Sequence, residues 1–459
     1  MKKSTKKTIK LILLLILTVT VSILLMLSIS LNPIKNNDVI LGGRIRTEIF
    51  ILIAIFLILL LLVMIFILVL SITARKKHTP ISSKSSTEEQ NTTLHHKESS
   101  AQRFCMLNEI DSNSSSYSRK SYESSLTLNT FCDDFRNFAA SKLSLYYSID
   151  DIRKLVAGLA VSKLIIIQGI SGTGKTSLAH AFGSFVDNTS TIIPVQPMWK
   201  ERTDLLGYYN EFTKRFNESQ LLIKMYEANY SNDIYVTVLD EMNIARVEYY
   251  FAEFLSLLEL PNSSQRYVNV VSDKWSTDPR QLVDGRIKLP DNMWFIGTAN
   301  NDDSTFAISD KVYDRAMIIA LDSKSEEFSA PPTPPRAISA EQFNELVSRA
   351  TKEYSISHRN LMRLEALDKY LIEHFHVTFG NRIMKQIRTY VPVYISCGGS
   401  ELDALDDILA KKVIRKLEAQ NPIYLRNSSE ELISFIDELF GAENMSQCKR
   451  LINKLQRNA

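Results

Sequence analysis

The chain has 459 residues and a formal net charge of +3, but its charge is unevenly distributed. Residues 1–78 hold eleven Lys or Arg and two Asp or Glu, a net charge of +9, so residues 79–459 carry −6 by subtraction (3 − 9). This acidic balance disfavours non-specific nucleic-acid binding outside a local patch, and the four cysteines form no CxxC pair and show no metal-like spacing.

Two long apolar segments come first in the chain. Residues 11–31 are uncharged and residues 49–74 are more hydrophobic still, so each is long enough to cross a bilayer as a helix. Positive charges precede the first segment and follow the second, and fewer lie between them. By the positive-inside rule, the sequence predicts a two-pass inner-membrane protein with both termini in the cytoplasm. A cleaved signal peptide fits less well, because the first apolar run is too long.

A polar segment follows at residues 78–129. It is rich in Ser, Thr, Asn and charged residues and shows no periodicity. This composition predicts a disordered linker between the membrane part, residues 1–77, and the first folded domain, residues 130–325.

Helical and strand patterns alternate after the linker. We predict helices at residues 131–143 and 149–161, and strands at residues 164–168, 191–196, 234–239, 293–298 and 316–321. Strands that alternate with helices indicate the α/β class, with a parallel sheet covered by helices on both faces.

Two other regions differ from this alternation. Residues 266–288 place two short apolar runs around a polar middle, which predicts an inserted hairpin. The last predicted domain, residues 326–459, begins with a proline-rich boundary, and beyond it residues 340–459 predict a mostly helical lid and C-terminal helices.

The first chemical motif is Gly-Ile-Ser-Gly-Thr-Gly-Lys-Thr at residues 169–176, between a predicted strand and a predicted helix. Its glycines let the backbone curl so that N–H groups point at phosphate oxygens, and the helix adds the positive end of its dipole. The lysine can reach the outer phosphates and the last threonine can bind Mg²⁺. The motif predicts a phosphate-binding loop made by Gly169, Ser171, Gly172, Thr173, Gly174, Lys175, Thr176 and Ser177.

The second motif is a pair of carboxylates at the end of a predicted strand. Asp240 lies 65 residues after the loop lysine (240 − 175) and can hold Mg²⁺, while Glu241 can polarise an attacking water. Alone, the pair would be better explained as the N-cap and first-turn acid of the next helix. Because it follows a phosphate-binding loop, the pair predicts an enzyme that hydrolyses a nucleoside triphosphate rather than a small-molecule kinase.

The residues from Leu239 to Glu259 begin Leu-Asp-Glu-Met-Asn-Ile-Ala-Arg. Together with the loop, this run resembles the AAA+ ATPases of the dynein-related, MoxR and McrB group, and it is most similar to McrB-type NTPases. The resemblance extends over residues 150–420. It implies a P-loop AAA+ parallel sheet flanked by helices with an all-α lid, to which this chain adds an N-terminal two-helix transmembrane hairpin.

Three further roles are implied by the resemblance. Asn300, in Trp-Phe-Ile-Gly-Thr-Ala-Asn, matches the sensor 1 residue that orients the attacking water. Arg315 matches the arginine finger, which reaches the nucleotide of the next subunit; the alternative is a local ion pair with Asp310 or Asp314. Arg382 is the candidate for a sensor 2 contact with phosphate, and a solvent-facing helix position is its alternative.

The chain also departs from the pattern of its relatives. McrB and MoxR proteins commonly read Asp-Glu-Ile-Asn-Arg-Ala, whereas this chain has Ile244 at the arginine position and Arg246 two residues later. McrB-type proteins use GTP and most of the wider group uses ATP, so we favour ATP and keep GTP as the alternative. The apolar segments replace the DNA-recognition domain of McrB, so DNA restriction does not transfer and a role for nucleic acid stays open.

These features predict a membrane-anchored AAA+ ATPase that forms a homo-hexamer or another ring. It would use the hydrolysis of ATP or GTP, with Mg²⁺, to remodel or activate an unknown effector or substrate protein. Two alternatives stay open: a nucleotide-gated membrane scaffold or switch, and the motor subunit of a restriction or anti-phage defence system.

Overall fold

The computed structural model describes residues 102–119, 121–123, 125–300, 305–322 and 325–458. The two predicted membrane spans, at residues 11–31 and 49–74, lie outside these residues. Within the described part of the chain, no helix is long and apolar enough to cross a membrane; the longest, Pro422–Phe440, has 19 residues and contains five charged ones. This finding corrects the predicted two-pass inner-membrane localisation, which we withdraw.

The described strands, β1 to β10 in chain order, are Leu164–Gly169, Thr191–Pro194, Gly207–Asn210, Arg215–Glu218, Tyr235–Asp240, Tyr267–Asn269, Leu282–Val283, Arg286–Lys288, Met293–Asn300 and Met317–Leu321. The described α-helices, α1 to α15, are Met106–Ser112, Leu128–Leu143, Ile149–Val161, Lys175–Phe185, Arg202–Leu206, Gln220–Ala228, Val247–Tyr250, Ala252–Glu259, Asp310–Tyr313, Ala340–Glu353, His358–Phe375, Gly380–Ser396, Glu401–Lys412, Pro422–Phe440 and Ser446–Asn458.

Five of these strands form a parallel sheet in the order β10-β1-β9-β5-β2. Its strands are nearly continuous apolar runs, as expected for a sheet buried on both faces. In β1, Ile165 and Ile167 pack into one buried cluster with α2, α3 and α4, while Leu164 and Ile166 pack into a second cluster on the other face. The predicted parallel α/β sheet, flanked by helices, is confirmed.

The insertion between α8 and β9 has three short antiparallel strands in the order β6-β8-β7. Strands β7 and β8 form a hairpin closed by Asp284 and Gly285, which both have positive φ (50° and 73°), the conformation that a two-residue hairpin turn favours. The predicted hairpin at residues 266–288 is thus the β7–β8 hairpin together with β6, which pairs with the other side of β8. Strands β3 and β4 form a separate hairpin.

The later part of the predicted disordered linker is ordered. Residues 106–112 form α1, and Phe104 and Leu107 beside and within it are fully buried against the second cluster. Arg103, only 2% exposed, forms ion pairs with Asp273 and Asp278 of the insertion. The prediction fails here because partners about 170 residues away leave no local periodicity.

The C-terminal part, from α10 onward, is helical, as predicted. It contacts the α/β part through a buried group of side chains from α3, α12 and α13. The Tyr390 hydroxyl donates to Asp407 over 2.7 Å, and Lys154 lies 3.6 Å from the same carboxylate. The predicted boundaries at residues 77, 129 and 325 stay predictions.

Candidate nucleotide-binding site

The loop between β1 and α4 has the backbone geometry that its glycines allow. Gly172 and Gly174 have φ angles of 80° and 87°, in the left-handed region that favours glycine. At Gly169, a Cβ atom would lie 2.1 Å from the carbonyl oxygen of Leu321, so the close approach of β10 requires glycine there. At Gly172 nothing lies within 4 Å of an added Cβ, so this side of the loop is open.

Lys175 begins α4 and is 7% exposed. Its ammonium donates to the carbonyl oxygens of Gly169 and Ile170 over 3.0 and 2.8 Å. The lysine charge is therefore held inside the turn of the loop, where a phosphate-binding role requires it.

Tyr147 supports the loop from outside the motif. Its hydroxyl donates to the carbonyl oxygen of Gly174 over 3.0 Å, and burial raises the pKa of Tyr147, so the group stays protonated and a donor. This residue is not predictable from the sequence, because an aromatic side chain between two helices gives no local signal.

The two candidate magnesium ligands face each other. The Thr176 hydroxyl donates to Asp240 Oδ1 over 2.6 Å, and the Thr298 hydroxyl donates to the same oxygen over 2.8 Å. Hydroxyl and carboxylate oxygens are the ligands that Mg²⁺ prefers, usually with several waters retained. The side chains of Thr176 and Asp240 therefore fit a magnesium ion.

Glu241 follows with an unusual backbone. Its φ and ψ of 52° and 47° are left-handed, which costs a non-glycine residue about 1–2 kcal/mol, and its side chain is exposed. Its amide donates to the Thr298 hydroxyl over 2.9 Å. Strained residues of this kind cluster at functional sites, and the geometry presents the carboxylate to solvent at the edge where the loop lies.

Asn300 lies at the same edge of the sheet. It ends β9 directly opposite Gly169 of β1. The buried side chain of Asn243 donates to the carbonyl oxygens of Asn300 (2.9 Å) and Phe306 (3.3 Å) and fixes the chain on both sides of residues 301–304. The guanidinium of Arg246 stacks over the Phe306 ring at 5.0 Å, so this arginine lies beside the Asn243 contacts.

Arg315 lies at the opposite ends of the parallel strands, where they begin rather than where they lead into the loop. Its carbonyl oxygen accepts a hydrogen bond from Ser162, before β1, and β10 runs from Met317, opposite Ile165, to Leu321, opposite Gly169. The four steps from Met317 to Leu321 alone correspond to about 13 Å. The structure therefore does not bring Arg315 to the phosphate-binding loop of its own chain.

Arg315 and Arg382 share one carboxylate. Glu259, at the end of α8, lies 2.7 Å from Arg315 Nη2 through one oxygen and pairs with Arg382 through the other. Asp310 and Asp314, the partners expected for a local ion pair, contact Arg415 and Lys416 instead. Arg382 thus lies beside Arg315 and away from the loop, and Glu259 is a further residue that sequence analysis missed.

Comparison with known proteins gives one family match. Residues 164–316, or 153 of the 459, match the AAA domain of the dynein-related subfamily. This segment runs from the start of β1 to the residue after Arg315, so it contains the loop at residues 169–177, Asp240, Glu241, Glu259, Thr298, Asn300 and Arg315 but not Tyr147 or Arg382.

No curated protein matches the chain. Among solved structures, a full-length MCM homolog from Methanopyrus kandleri is similar over 64% of this chain, with 12% identity and a TM-score of 0.37. The chain spans 64% of that protein's length, which is less than two thirds. The family match at residues 164–316 by itself supports a nucleotide-binding domain of the ATPase type.

Proposed function

We propose that the chain is a AAA+ NTPase that hydrolyses ATP, with GTP as the alternative, in a ring of identical subunits. The observation that carries the proposal is the cluster at one edge of the sheet, where Thr176 and Thr298 both donate to Asp240 beside the phosphate-binding loop. The exposed Glu241 and the half-buried Asn300 lie at the same ends of the strands.

Within one subunit, each group has a distinct role. The loop amides and Lys175 bind the phosphates, and Thr176 and Asp240 would hold Mg²⁺. When bound there, the ion would neutralise charge on the phosphate oxygens. Glu241 polarises the attacking water, and Asn300 orients it with an amide that adds no charge.

The arginines act between subunits. Arg315 and Arg382 lie at the ends of the strands opposite the loop. Together with Glu259, which pairs with both, they carry a net charge of +1 (2 − 1). A guanidinium offered to the triphosphate of a neighbouring subunit stabilises the charge that develops during hydrolysis. Each site is then completed only in a ring, for which we propose a hexamer, and the ring remodels or activates a partner protein. The McrB-type assignment belongs to this proposal.

The test is phosphate release by the full chain at rising protein concentration, with ATP and GTP compared. We expect turnover that rises faster than concentration, because assembly completes the sites. Glu241→Gln should abolish turnover and keep nucleotide binding, while Glu211→Gln, an exposed acid at the tip of the β3–β4 hairpin, serves as the control. Nucleotide binding without turnover at every concentration would instead favour a nucleotide-gated scaffold.

A further inference from the structure

The short segment that carries Arg315 is held by a buried lysine from the C-terminal helices. Lys412, the last residue of α13, is 2% exposed. Its ammonium donates to the carbonyl oxygen of Tyr313 over 2.6 Å and also to that of Ala316. These two carbonyls lie on either side of the Asp314–Arg315 turn.

The bonding needs of the segment explain why a lysine fits there. Helix α9 is only four residues long and ends at Tyr313. The carbonyl oxygens of Asp310 and Val312 accept backbone amides of residues 314–316, which leaves the Tyr313 carbonyl to a side-chain donor. A cation at a helix C-terminus supplies donors and interacts favourably with the dipole. Without the ammonium, two carbonyls would lose their donor in a site closed to solvent.

Other side chains from the same region contact the same segment. Arg415 pairs with Asp310 over 2.8 Å and stacks over the ring of Tyr313 at 4.0 Å. Lys416 lies 3.5 Å from the Asp314 carboxylate, and Gln386 of α12 donates to the Asp314 carbonyl oxygen over 3.1 Å. The backbone around Arg315 is therefore fixed from the C-terminal helices, and Lys412 is its most buried contact.

The segment also contacts the strand that leads into the phosphate-binding loop. The side chain of Gln168, next to Gly169, hydrogen-bonds to the Tyr313 hydroxyl. Tyr313 thus lies between β1 and Lys412, two residues before Arg315.

We propose that Lys412 is a positioning residue for Arg315: it ties the backbone on both sides of this arginine to the C-terminal helices and so sets where the guanidinium points. The inference rests on the proposed role of Arg315 in a neighbouring site. It predicts that a subunit without Lys412 binds nucleotide normally but places Arg315 wrongly for the site of the neighbouring subunit.

The test uses Lys412→Met, which keeps the length and apolar stem of the side chain, and Lys412→Arg, which keeps a charged donor. Lys369→Met on α11 is the control, because Lys369 is 78% exposed and pairs only with the exposed Glu373, away from the Arg315 segment. In the full chain, Lys412→Met should lower kcat about 10²-fold, the effect of a displacement of about 1 Å, with nucleotide affinity unchanged.

Two readouts separate positioning from simple destabilisation. Mixing Lys412→Met with Lys175→Ala protein should restore turnover, because the second variant keeps intact arginines and the first keeps intact nucleotide sites. Hydrogen exchange in residues 310–321 should accelerate in Lys412→Met, while Lys369→Met leaves it unchanged and Lys412→Arg restores both protection and activity.

The outcomes distinguish this inference from the proposed function. If the wild type is active, accelerated exchange in Lys412→Met together with a wild-type kcat would overturn the positioning role and leave the ATPase proposal intact. Unchanged exchange would also overturn it, whatever the activity. A wild-type protein without turnover, or an Arg315→Ala variant with full turnover, would remove the proposed function of the arginine and the inference with it.

Discussion

At the scale of single residues, Thr298 joins the two carboxylate residues. Its hydroxyl donates to Asp240 and accepts the amide of Glu241, and the residue is 3% exposed. Its role was not predicted from the sequence, because a threonine within a strand is explained by strand preference alone. The available signal was its position two residues before Asn300, on the same face of β9.

We predict that Thr298→Val lowers kcat about tenfold or more, since the shape is kept but both hydrogen bonds are lost. The amide of Glu241 would lose its partner, and the left-handed backbone there would lose a restraint. Steady-state phosphate release together with a nucleotide-binding titration measures this, with affinity expected to stay close to wild type.

The control is Thr237→Val on the neighbouring strand β5. Thr237 is equally buried, and its hydroxyl oxygen has no hydrogen-bond partner among the described residues. This variant should be as active as wild type. Equal activity in Thr298→Val and Thr237→Val would show that the hydroxyl of Thr298 has no role in turnover.

Lys412 also predicts a pH dependence of stability. Burial lowers its pKa from 10.5 to about 7. Between these values the unfolded chain binds more protons than the folded one, so the contribution of Lys412 to the free energy of unfolding rises with pH. The slope from this group is at most about 1.4 kcal/mol per pH unit.

Urea unfolding of wild type and Lys412→Met between pH 7 and 8.5 measures this slope. This window avoids higher pH, where the buried thiols of Cys132 and Cys448, whose pKa values burial raises, act in the opposite direction. The difference in unfolding free energy between the two proteins should change in favour of wild type as the pH rises. A difference independent of pH would contradict the lowered pKa.

At the scale of elements, residues 103–117 connect to the insertion of strands β6 to β8. The guanidinium of Arg103 contacts Asp278 at 2.7 Å and Asp273 at 2.9 Å and stacks over the Trp275 ring at 4.6 Å. Asp111 accepts hydrogen bonds from the hydroxyl of Tyr226, in α6, and from that of Tyr230, which follows the helix. The segment is thus part of the folded unit, and a fragment beginning at residue 130 would lack it.

Arg103→Met should destabilise the folded unit by about 3–5 kcal/mol, because it leaves the buried Asp278 without its cation. Lys274→Met is the control: both members of its pair with Asp284 are more than 60% exposed, and such pairs contribute about 1 kcal/mol or less. Thermal or urea unfolding compares the two. Equal stability of both variants would mean that the Arg103 cluster contributes nothing specific.

At the scale of the whole molecule, the five sheet strands and the phosphate-binding loop were predictable because each is encoded by neighbouring residues. The sharing of Glu259 by Arg315 and Arg382 was not, because the three lie 56 and 123 residues apart (315 − 259 and 382 − 259) and only the fold brings them together. The same holds for Lys412 and Tyr313, 99 residues apart.

The placement of the arginines carries the central claim of the proposal, in which one catalytic site is divided between two subunits. In the proposal, Lys175→Ala subunits lose nucleotide binding but keep their arginines, and Arg315→Ala subunits bind nucleotide but lack the arginine finger. Arg388→Ala, an exposed arginine of the same helix as Arg382, is the control for the loss of a surface charge.

The most direct measurement is therefore phosphate release by Lys175→Ala and Arg315→Ala full chains, separately and mixed at equal total concentration. We predict that each alone is nearly inactive and that the mixture clearly exceeds the sum of the two, because mixed interfaces combine an intact nucleotide site with an intact arginine. A mixture no more active than its components, beside an active wild type, would contradict a site shared between subunits.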